Sequence, residues 1–427
     1  MNLKRVLKYL VFIYILFITA LVSSWAVWHI YEGGNRFNEK TKKNILRFAS
    51  FISLINLINK NSLLETATLS NPYAFNSTSI NGFDFKTHNN QIKGYLLIST
   101  INEKTKLPFV KLIEIKTGVI LKEWCLKKSD LKQICSTENQ PIYDLRIVHP
   151  LLLKDKSIVF NTGFALLKID SSSNIAWQTN IPFHHSLELE NDSILWAPSR
   201  IINSKLFQFN LIDTFVDDAI CSINVKNNKV LIKKSVAQLL IDNGYSNLLF
   251  TGPWENDLIH LNDIQPALTT TKFWNKGDLL ISLRHRSSVL LYRPATNKII
   301  WLKTGPWISQ HDCDFIDSSR IMIFGNDYIR TKSGTLLHNH NTAYIYDFNT
   351  NKTSTPFEKL FYSEKIKTLS EGRCDLLSNG DLFVDESNNG RLIIGDSTKA
   401  KLIYTERINK SKIKLFNWVR YLPTLPF

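Results

Sequence analysis

Two kinds of short apolar segment alternate along the chain from about residue 90 onward. The first kind consists of two stretches with alternating apolar and polar residues, joined by a polar turn. Period-two alternation predicts β-strands, and turn residues such as Lys-Thr-Gly and Asn-Asn predict hairpins. Six such hairpins occur, at 109–124, 165–179, 222–236, 289–303, 343–357 and 392–406.

Ahead of each predicted hairpin lies a short, continuous apolar stretch flanked by glycine or serine, at 94–100, 157–163, 193–198, 277–283, 320–326 and 380–386. Such stretches are typical of strands near the crowded axis of a β-propeller. Two strand classes repeated six times predict four-stranded blades and an all-β, six-bladed β-propeller over residues 91–427. The third repeat departs from the pattern, with a long irregular stretch around residues 200–250.

The beginning of the chain has a different pattern. Tyr9 to Trp28 form an apolar run without a charged residue, which is long enough to cross a bilayer as a helix. We therefore predict a cytoplasmic tip and one transmembrane anchor in residues 1–30, with the propeller on the periplasmic or extracytoplasmic side. A cleaved signal peptide is the alternative, with Ser24 and Ala26 as small residues before the cut. Residues 31–90 are predicted to be a stem with a short amphipathic helix.

Composition narrows the possible partners. Lys and Arg exceed Asp and Glu by 52 to 37, giving a net charge of +15, but the lysines are scattered and form no basic helix or patch. This distribution argues against nucleic-acid binding and leaves an anionic membrane surface or an anionic substrate. The five cysteines have no zinc-binding spacing. Cys125 and Cys135 are close enough to form a disulfide in an oxidising compartment, and buried free thiols are the alternative.

Histidines recur at similar places in the repeat. His149, His185 and His311 each lie ahead of one of the short apolar stretches, His260 does so with a longer insertion, and Arg373 has the matching place in the last repeat. Equivalent positions in successive blades lie on one ring around the propeller axis. The sequence therefore predicts that these side chains meet at one mouth of the central channel.

Three local motifs are rich in groups that bind an oxyanion: HLNDI (260–264), SLRHRSSV (282–289) and GPWISQHDCDF (305–315). Asn262 offers an amide donor, and the guanidinium of Arg284 suits sulfate or phosphate oxygens. Because neighbouring residues of a strand point to opposite faces, His285 is predicted to be a packing residue that points away from Arg284. His184 is less favoured than His185 as a site residue for the same reason.

The order His-x-Asn, Ser-x-Arg-His, a hairpin closing on Trp, and Gln-His before Phe-Gly-Asn-Asp is similar to the arylsulfate sulfotransferase family, most closely between His260 and Asp327. The resemblance implies PAPS-independent transfer of a sulfuryl group from an aryl sulfate to a phenolic acceptor. It also implies a ping-pong mechanism through a covalent sulfohistidine, without a metal or organic cofactor.

When the roles of the family's motif residues are assigned to the matching positions of this sequence, the resemblance implies that His311 is the nucleophile. His260, with Asn262, and Arg284 would hold the sulfuryl oxygens. His185 would complete the ring as an oxygen ligand or as a proton donor to the leaving phenol. Arg373 and His149, which match by position only, would contribute to substrate binding.

Two features depart from the family pattern. The stem is too short and polar for the additional N-terminal β-domain of well-known members, and Asp385 and Glu386 would repel a sulfate ester if they faced the channel. A non-catalytic propeller that binds an anionic ligand or a protein partner is therefore the alternative function. A quinoprotein dehydrogenase is disfavoured, because no vicinal cysteine pair or acidic calcium cluster stands out. The oligomeric state is not fixed by the sequence.

Overall fold

The computed structural model divides into two units, Met1–Glu65 and Thr66–Phe427. It describes residues 81–86, 92–134, 145–163, 165–202, 215–251, 255–330, 335–409 and 412–427, together with 68–70, 204, 206, Thr41 and part of the stretch 9–26. No helix among these residues is both long and apolar enough to cross a membrane, so the predicted anchor over Tyr9–Trp28 is not confirmed. The predicted stem helix and Cys135 lie outside the described residues.

The second unit is a six-bladed β-propeller of antiparallel sheets, which confirms the predicted fold. Blades are counted along the chain, and the first contains β3 (Tyr95–Ile101), β4 (Pro108–Glu114) and β5 (Ile120–Cys125). The second contains β6 (Val148–Leu152), β7 (Ile158–Asn161), β8 (Leu166–Ile169) and β9 (Ile175–Gln178). The third contains β10 (Glu188–Leu189), β11 (Ile194–Ile201), β12 (Asp217–Asn224) and β13 (Lys229–Ser235). Each sheet runs from the axis outward in this order.

The other three blades repeat the arrangement. The fourth contains β14 (Leu261–Pro266), β15 (Leu279–Leu283), β16 (Ser288–Arg293) and β17 (Lys298–Thr304). The fifth contains β18 (Asp312–Phe315), β19 (Arg320–Gly325), β22 (Thr342–Asp347) and β23 (Lys352–Ser354). The sixth contains β24 (Arg373–Leu376), β25 (Leu382–Glu386), β26 (Arg391–Gly395) and β27 (Ala400–Thr405). Strand β2 (Gly82–Phe85), which lies in the predicted stem, adds a fifth strand to the outer edge of the sixth blade by pairing with β27.

Short elements connect the blades. Two small ribbons pair β1 (Thr68–Ser70) with β28 (Lys412–Lys414) and β20 (Tyr328–Ile329) with β21 (Thr335–Leu336). In the described part of the second unit, the α-helices are α1 (Lys128–Ile134), α2 (Val236–Asp242), α3 (Asn247–Phe250) and α4 (Glu358–Glu364). Helices α2 and α3 fall in the stretch that was irregular in sequence, and buried leucines of both pack into the core between the third and fourth blades.

All six predicted hairpins are present, but the strands predicted to lie nearest the axis are the second strands of their blades. The innermost strands of four blades, β29, β10, β18 and β24, are shorter than the strands next to them, whereas β6 and β14 are one residue longer. Most innermost strands carry polar residues among the apolar ones, so they lack the continuous apolar signature by which the second strands were recognised.

Strand β29 (Arg420–Leu422) closes the ring by pairing with β3 as the innermost strand of the first blade, with Arg420 opposite Leu97. The Arg420 guanidinium donates to the carbonyl of Pro150 at 3.0 Å and forms an ion pair with Glu188 at 2.9 Å. One side chain of the closing strand therefore contacts the second and third blades as well.

A buried ion cluster joins the sixth and first blades. The Glu406 carboxylate lies 2.5 Å from Lys111 Nζ and 3.3 Å from Lys414 Nζ, and it accepts a hydrogen bond from the Tyr404 hydroxyl. Burial raises the pKa of Glu406, but the two lysines outweigh this effect and hold the pKa below its ordinary value. The ionised carboxylate is therefore the form that stabilises the fold.

We predict that Glu406→Gln lowers the free energy of unfolding at pH 7 by about 3 kcal/mol, because it leaves buried Lys111 without its counter-charge. Urea unfolding is the measurement, with Glu123→Gln on the exposed side of β5 as the control. The stabilisation by Glu406 is present above the pKa of the unfolded chain and is lost as the pH falls through the lower pKa of the folded state. The two unfolding curves should therefore converge in acid. Equal stability of variant and parent at pH 7 would contradict the prediction.

Candidate active site

Three histidines enter the site through an unusual backbone conformation at the start of an innermost strand. His149, His185 and His260 have φ angles of 50°, 59° and 52°, and Trp418 before β29 has 54°. Such left-handed angles are rare for residues other than glycine and are concentrated at functional sites. The shared conformation gives these four side chains equivalent places in four different blades.

Ahead of the innermost strand of the fifth blade, the left-handed residue is Ser309, and His311 follows two positions later. His311 nevertheless reaches the same place. The centroid of its ring lies 5.8 Å from that of His185 and 6.4 Å from that of His260, and the rings of His185 and His260 are 5.0 Å apart. The predicted convergence of these three imidazoles is therefore confirmed.

The histidines differ in their access to solvent. The side chain of His260 is 22% exposed, whereas His311 is buried. Burial lowers the pKa of both His185 and His311 well below the ordinary value, with a further lowering by His260 near His185 and by Arg284 near His311. Both rings are therefore uncharged at neutral pH.

Asn326 fixes the tautomer of His311. The Asn326 Nδ2 donates to the carbonyls of Thr368 and Glu371 at 2.9 and 2.8 Å, so its Oδ1 faces His311 Nδ1. An amide oxygen can only accept, and Nδ1 must therefore carry the proton. The lone pair of His311 lies on Nε2, which accepts the backbone N–H of Glu371 at 3.2 Å.

The loop that carries Glu371 approaches very closely. A Cβ at Gly372 would lie 2.7 Å from the side chains of Phe324 and Thr368, and Gly372 has a φ of 93°. Only glycine combines this angle with such a close approach. Gly372 therefore allows the sixth blade to place the Glu371 N–H beside His311.

Asp257 holds His260 through both of its carboxylate oxygens. Oδ2 lies 2.6 Å from His260 Nδ1, and Oδ1 accepts the backbone N–H of His260 at 3.1 Å. Burial raises the pKa of Asp257, but the hydrogen bond and charge of His260 lower it to about 2. Asp257 thereby fixes the His260 ring with Nδ1 toward the carboxylate.

The prediction that His285 packs away from the site is wrong. Its ring stacks on His260 with centroids 4.5 Å apart, and its Nε2 lies 3.0 Å from an Arg284 nitrogen. Strand β15 ends at Leu283, and residues Arg284–Arg286 form a 3-10 turn. The alternation of a strand does not apply to this turn, which brings Arg284 and His285 to the same side.

Arg284 is buried and close to His311, whose pKa it lowers. Burial in turn lowers the pKa of Arg284 to about 10, so its guanidinium remains charged at neutral pH. One of its terminal nitrogens contacts His285, and its Nε is buried without a hydrogen-bond partner among the described residues. Arg284 thus brings a fixed positive charge beside the histidines.

His184 lies behind His185 and is part of the same network. The two Nδ1 atoms are 2.8 Å apart, and His184 Nε2 lies 3.4 Å from an oxygen of Asp218. The carboxylate favours a proton on His184 Nε2, which leaves His184 Nδ1 to accept from His185 Nδ1. In this arrangement the lone pair of His185 is on Nε2, the nitrogen that remains available to a ligand.

The other predicted residues lie around this group. The ring of His149 stacks on that of Trp418, with centroids 4.7 Å apart. The Asn262 amide is brought to the ring but donates to the carbonyl of Gln310 at 2.7 Å, so it supports the residue before His311. Arg373, the first residue of β24, is buried and binds Asp375 at 2.8 Å.

Buried acids follow the histidines along the innermost strands. Asp263 and Asp312 accept the backbone N–H groups of Cys313 and Cys374, each in the next blade. Burial raises the pKa of Asp263 to about 6 and that of Asp312 to about 8. These carboxyl groups hold protons more readily than exposed ones, which reduces their repulsion of an anion at the mouth.

Asp385 and Glu386, which raised doubt about an anionic substrate, both have partners. Asp385 accepts the backbone N–H of Val419 at 2.7 Å, and burial raises its pKa to about 7. Glu386 forms an ion pair with Arg391 at 2.5 Å. Glu386 is thus paired with a positive charge, and Asp385 holds a proton more readily than an exposed carboxyl, so both repel an anion less than free carboxylates would.

Sequence reasoning missed several residues that shape the site: His184, Asp218, Asp257, His285, Asn326 and Trp418. Two of them could have been recognised from their positions in the sequence. Asp257 precedes the His-x-Asn motif by three residues, and Trp418 precedes the closing strand much as His185 precedes β10. Asn326 and Asp218 come from second and third strands, and only the folded ring brings them to the histidines.

Fold and site together define a six-bladed β-propeller with a cluster of imidazoles and one guanidinium at a mouth of its channel. Residues 149–408 match the arylsulfotransferase (ASST) family, and this stretch is more than half of the 427-residue chain. The chain belongs to this family of sulfotransferases, as its motifs indicated. No curated protein matches the chain.

Solved structures resemble the chain at low sequence identity. A protein of unknown function from Bacteroides caccae is 13% identical with a TM-score of 0.48, and the match covers 78% of this chain and 100% of that one. The Pan2 WD40 domain of Neurospora crassa is 9% identical with a TM-score of 0.41, covering 74% and 81%. TolB from Acinetobacter baumannii is 10% identical with a TM-score of 0.43, covering 78% and 67%.

We predict that Asn326→Leu abolishes the tautomer preference of His311, because the variant removes the acceptor for Nδ1–H, a hydrogen bond worth about 1 kcal/mol. Nitrogen NMR of protein labelled in histidine should show one tautomer in the parent and a mixture in the variant. Asn228→Ala, on the turn between β12 and β13, is the control and should leave the His311 signals unchanged. An unaltered tautomer in Asn326→Leu would contradict the assignment of Nε2 as the lone-pair atom.

Proposed function

We propose that this protein transfers a sulfuryl group from an aryl sulfate to a phenolic acceptor through a covalent sulfohistidine on His311. The proposal rests on the protonation state and the tautomer of the His311 ring. It is uncharged, and Asn326 holds its Nδ1 so that the Nε2 lone pair is left for attack. An uncharged imidazole is an effective nucleophile near neutral pH.

The neighbours of His311 suit a group with three charged oxygens. Arg284 supplies a buried positive charge, and His185 and His260 lie on the other sides of the same small space. Sulfuryl transfer, like phosphoryl transfer, depends mostly on positioning and on fixed charges or donors around the transferred group. Arg284 is proposed to hold the sulfuryl oxygens with its N–H groups. The Glu371 N–H, which gives up its long hydrogen bond to Nε2 as the donor binds, is proposed as a second donor to them. His185 and His260 line the space around the transferred group.

At sulfur, each half-reaction forms one bond and breaks one. The Nε2 lone pair of His311 attacks sulfur, and the electron pair of the sulfur–oxygen bond leaves with the aryl oxygen as a phenolate. In the second half-reaction the acceptor phenol gives its proton to His185, and its oxygen attacks sulfur. The nitrogen–sulfur bond then breaks, and its electron pair returns to Nε2. His185 releases the proton to solvent, which protonates the phenolate product of the first half-reaction, so both histidines return to their starting states. His185 is proposed as the proton carrier because its own Nε2 is available.

The decisive experiment is the mass of the intact protein after incubation with p-nitrophenyl sulfate alone. We expect the mass to increase by one SO3 group, and added phenol should discharge the adduct. His311→Ala should form no adduct and should lose nitrophenol release by on the order of 10³-fold or more, as expected when a nucleophile is removed. His338→Ala, an exposed histidine outside the site, is the matched control.

Two results would contradict the proposal. An adduct that persists in His311→Ala would place the nucleophile elsewhere. Donor binding without adduct or nitrophenol release would favour the non-catalytic, anion-binding alternative. Full activity of the His338 control is needed to assign any loss to His311 itself.

We also propose that the propeller lies on the extracytoplasmic side of a membrane, anchored by the apolar run Tyr9–Trp28. The support is the length of that run and the absence of charged residues within it. The full chain is then expected to stay in the membrane fraction after an alkaline carbonate wash. Protease should digest the propeller in right-side-out vesicles and spare it in inverted ones. Release by carbonate, or the reverse protection, would rule the topology out.

A further inference from the structure

His185, His260 and His311 have a second property that does not depend on sulfuryl transfer. One ring nitrogen of each lies within 4.8 Å of those of the other two. Each Nδ1 is occupied by a partner outside the cluster. These partners are His184 Nδ1 at 2.8 Å, Asp257 Oδ2 at 2.6 Å and Asn326 Oδ1. The Nε2 atoms are therefore the ones left for a common ligand.

This arrangement is how proteins prepare histidines for a metal ion. A histidine ligand usually has its other nitrogen held by a carboxylate, a carbonyl or another polar group, which fixes the ring orientation. Three imidazoles without a thiolate suit Zn²⁺, Cu²⁺, Ni²⁺ or Co²⁺ rather than Mg²⁺ or Ca²⁺. A fourth position remains for water, as in zinc sites with three protein ligands.

We propose that the Nε2 atoms of His185, His260 and His311 bind Zn²⁺, and that the bound ion excludes the sulfuryl donor. The metal site goes beyond the proposed function, whereas its inhibitory effect rests on it. Coordination would use the Nε2 lone pair of His311 that otherwise attacks sulfur, so one ring cannot serve both purposes. The ion would also displace the 3.2 Å hydrogen bond from the Glu371 N–H.

A second group, Asp257 with His260 and His285, also has ligand atoms close together. Its atoms are already committed to one another. His285 Nδ1 donates to the Asp257 carbonyl at 2.7 Å and its Nε2 contacts Arg284, while Asp257 binds His260. This group therefore orients His260 rather than competing for the ion, and its carboxylate offsets the nearby charge of Arg284.

The test uses Co²⁺ as a visible probe, because Zn²⁺ has no d–d absorption. Full-length protein freed of metal by a chelator should bind one Co²⁺ with a visible band that Zn²⁺ abolishes by displacement. His260→Ala and His311→Ala should lose the band. Asp257→Asn should weaken binding by roughly 10–100-fold, as expected when the partner of a ligating histidine is changed. His338→Gln is the matched control and should bind as the parent does.

Absence of the band, or a band that survives both histidine variants, would overturn the metal site. If the site exists, Zn²⁺ should raise the apparent KM for p-nitrophenyl sulfate, and a chelator should reverse the effect. Unchanged kinetics with Zn²⁺ bound would overturn the inhibition alone. The proposed function fails by a different result, the absence of a sulfuryl adduct in the metal-free protein, which cobalt binding does not affect.

Discussion

The pairing of β29 with β3 is the contact on which the other features of the site depend. It places a strand from residues 420–422 in the first blade and thereby closes six sheets into a ring. Closure fixes the innermost strands around one axis. Five of the blades deliver a histidine or Trp418 to the same mouth, and the sixth brings the Glu371 N–H to His311. Arg420 adds to this constraint because its guanidinium binds the second and third blades. Histidines separated by up to 126 positions in sequence, His185 and His311, become neighbours for this reason.

A second constraint acts within each blade. A left-handed residue at the start of an innermost strand turns its side chain toward the axis, and His149, His185, His260 and Trp418 share this conformation. The strain of that conformation is tolerated because neighbouring blades hold the backbone in place on both sides. Polar partners then fix the orientation of each ring: Asp257, in the loop before β14, holds His260, and Asn326, which directly follows β19, holds His311. The site is thus built in two layers, with the ring of histidines on the inside and their polar partners behind them.

The repeat in the sequence was sufficient to predict the propeller, the blade number and the convergence of the histidines. The outer hairpins were recognisable because a polar turn joins a strand that is buried on both faces, such as β16, to an outermost strand that is partly exposed and carries polar residues, such as β17. The innermost strands were missed because strands of two to six residues with buried acids have no such pattern. His285 was misplaced because a 3-10 turn replaced the strand at Arg284. Asn326 and Asp218 were not predictable, since their importance arises only from contacts between distant parts of the chain.

Strand β29 is the last of the described strands along the chain, and Trp418 directly precedes it. The ring can therefore close only late in biosynthesis. Proteins emerge from the ribosome from their N-terminus. The side chains of the site that precede β29, namely His149, His185, His260, Arg284 and His311, are therefore synthesised before the segment that closes the ring around them. A chain translated only as far as β27 therefore contains these side chains but lacks the strand that closes the ring. The mouth that they share is complete only after residues 418–422 have been synthesised and β29 has paired with β3.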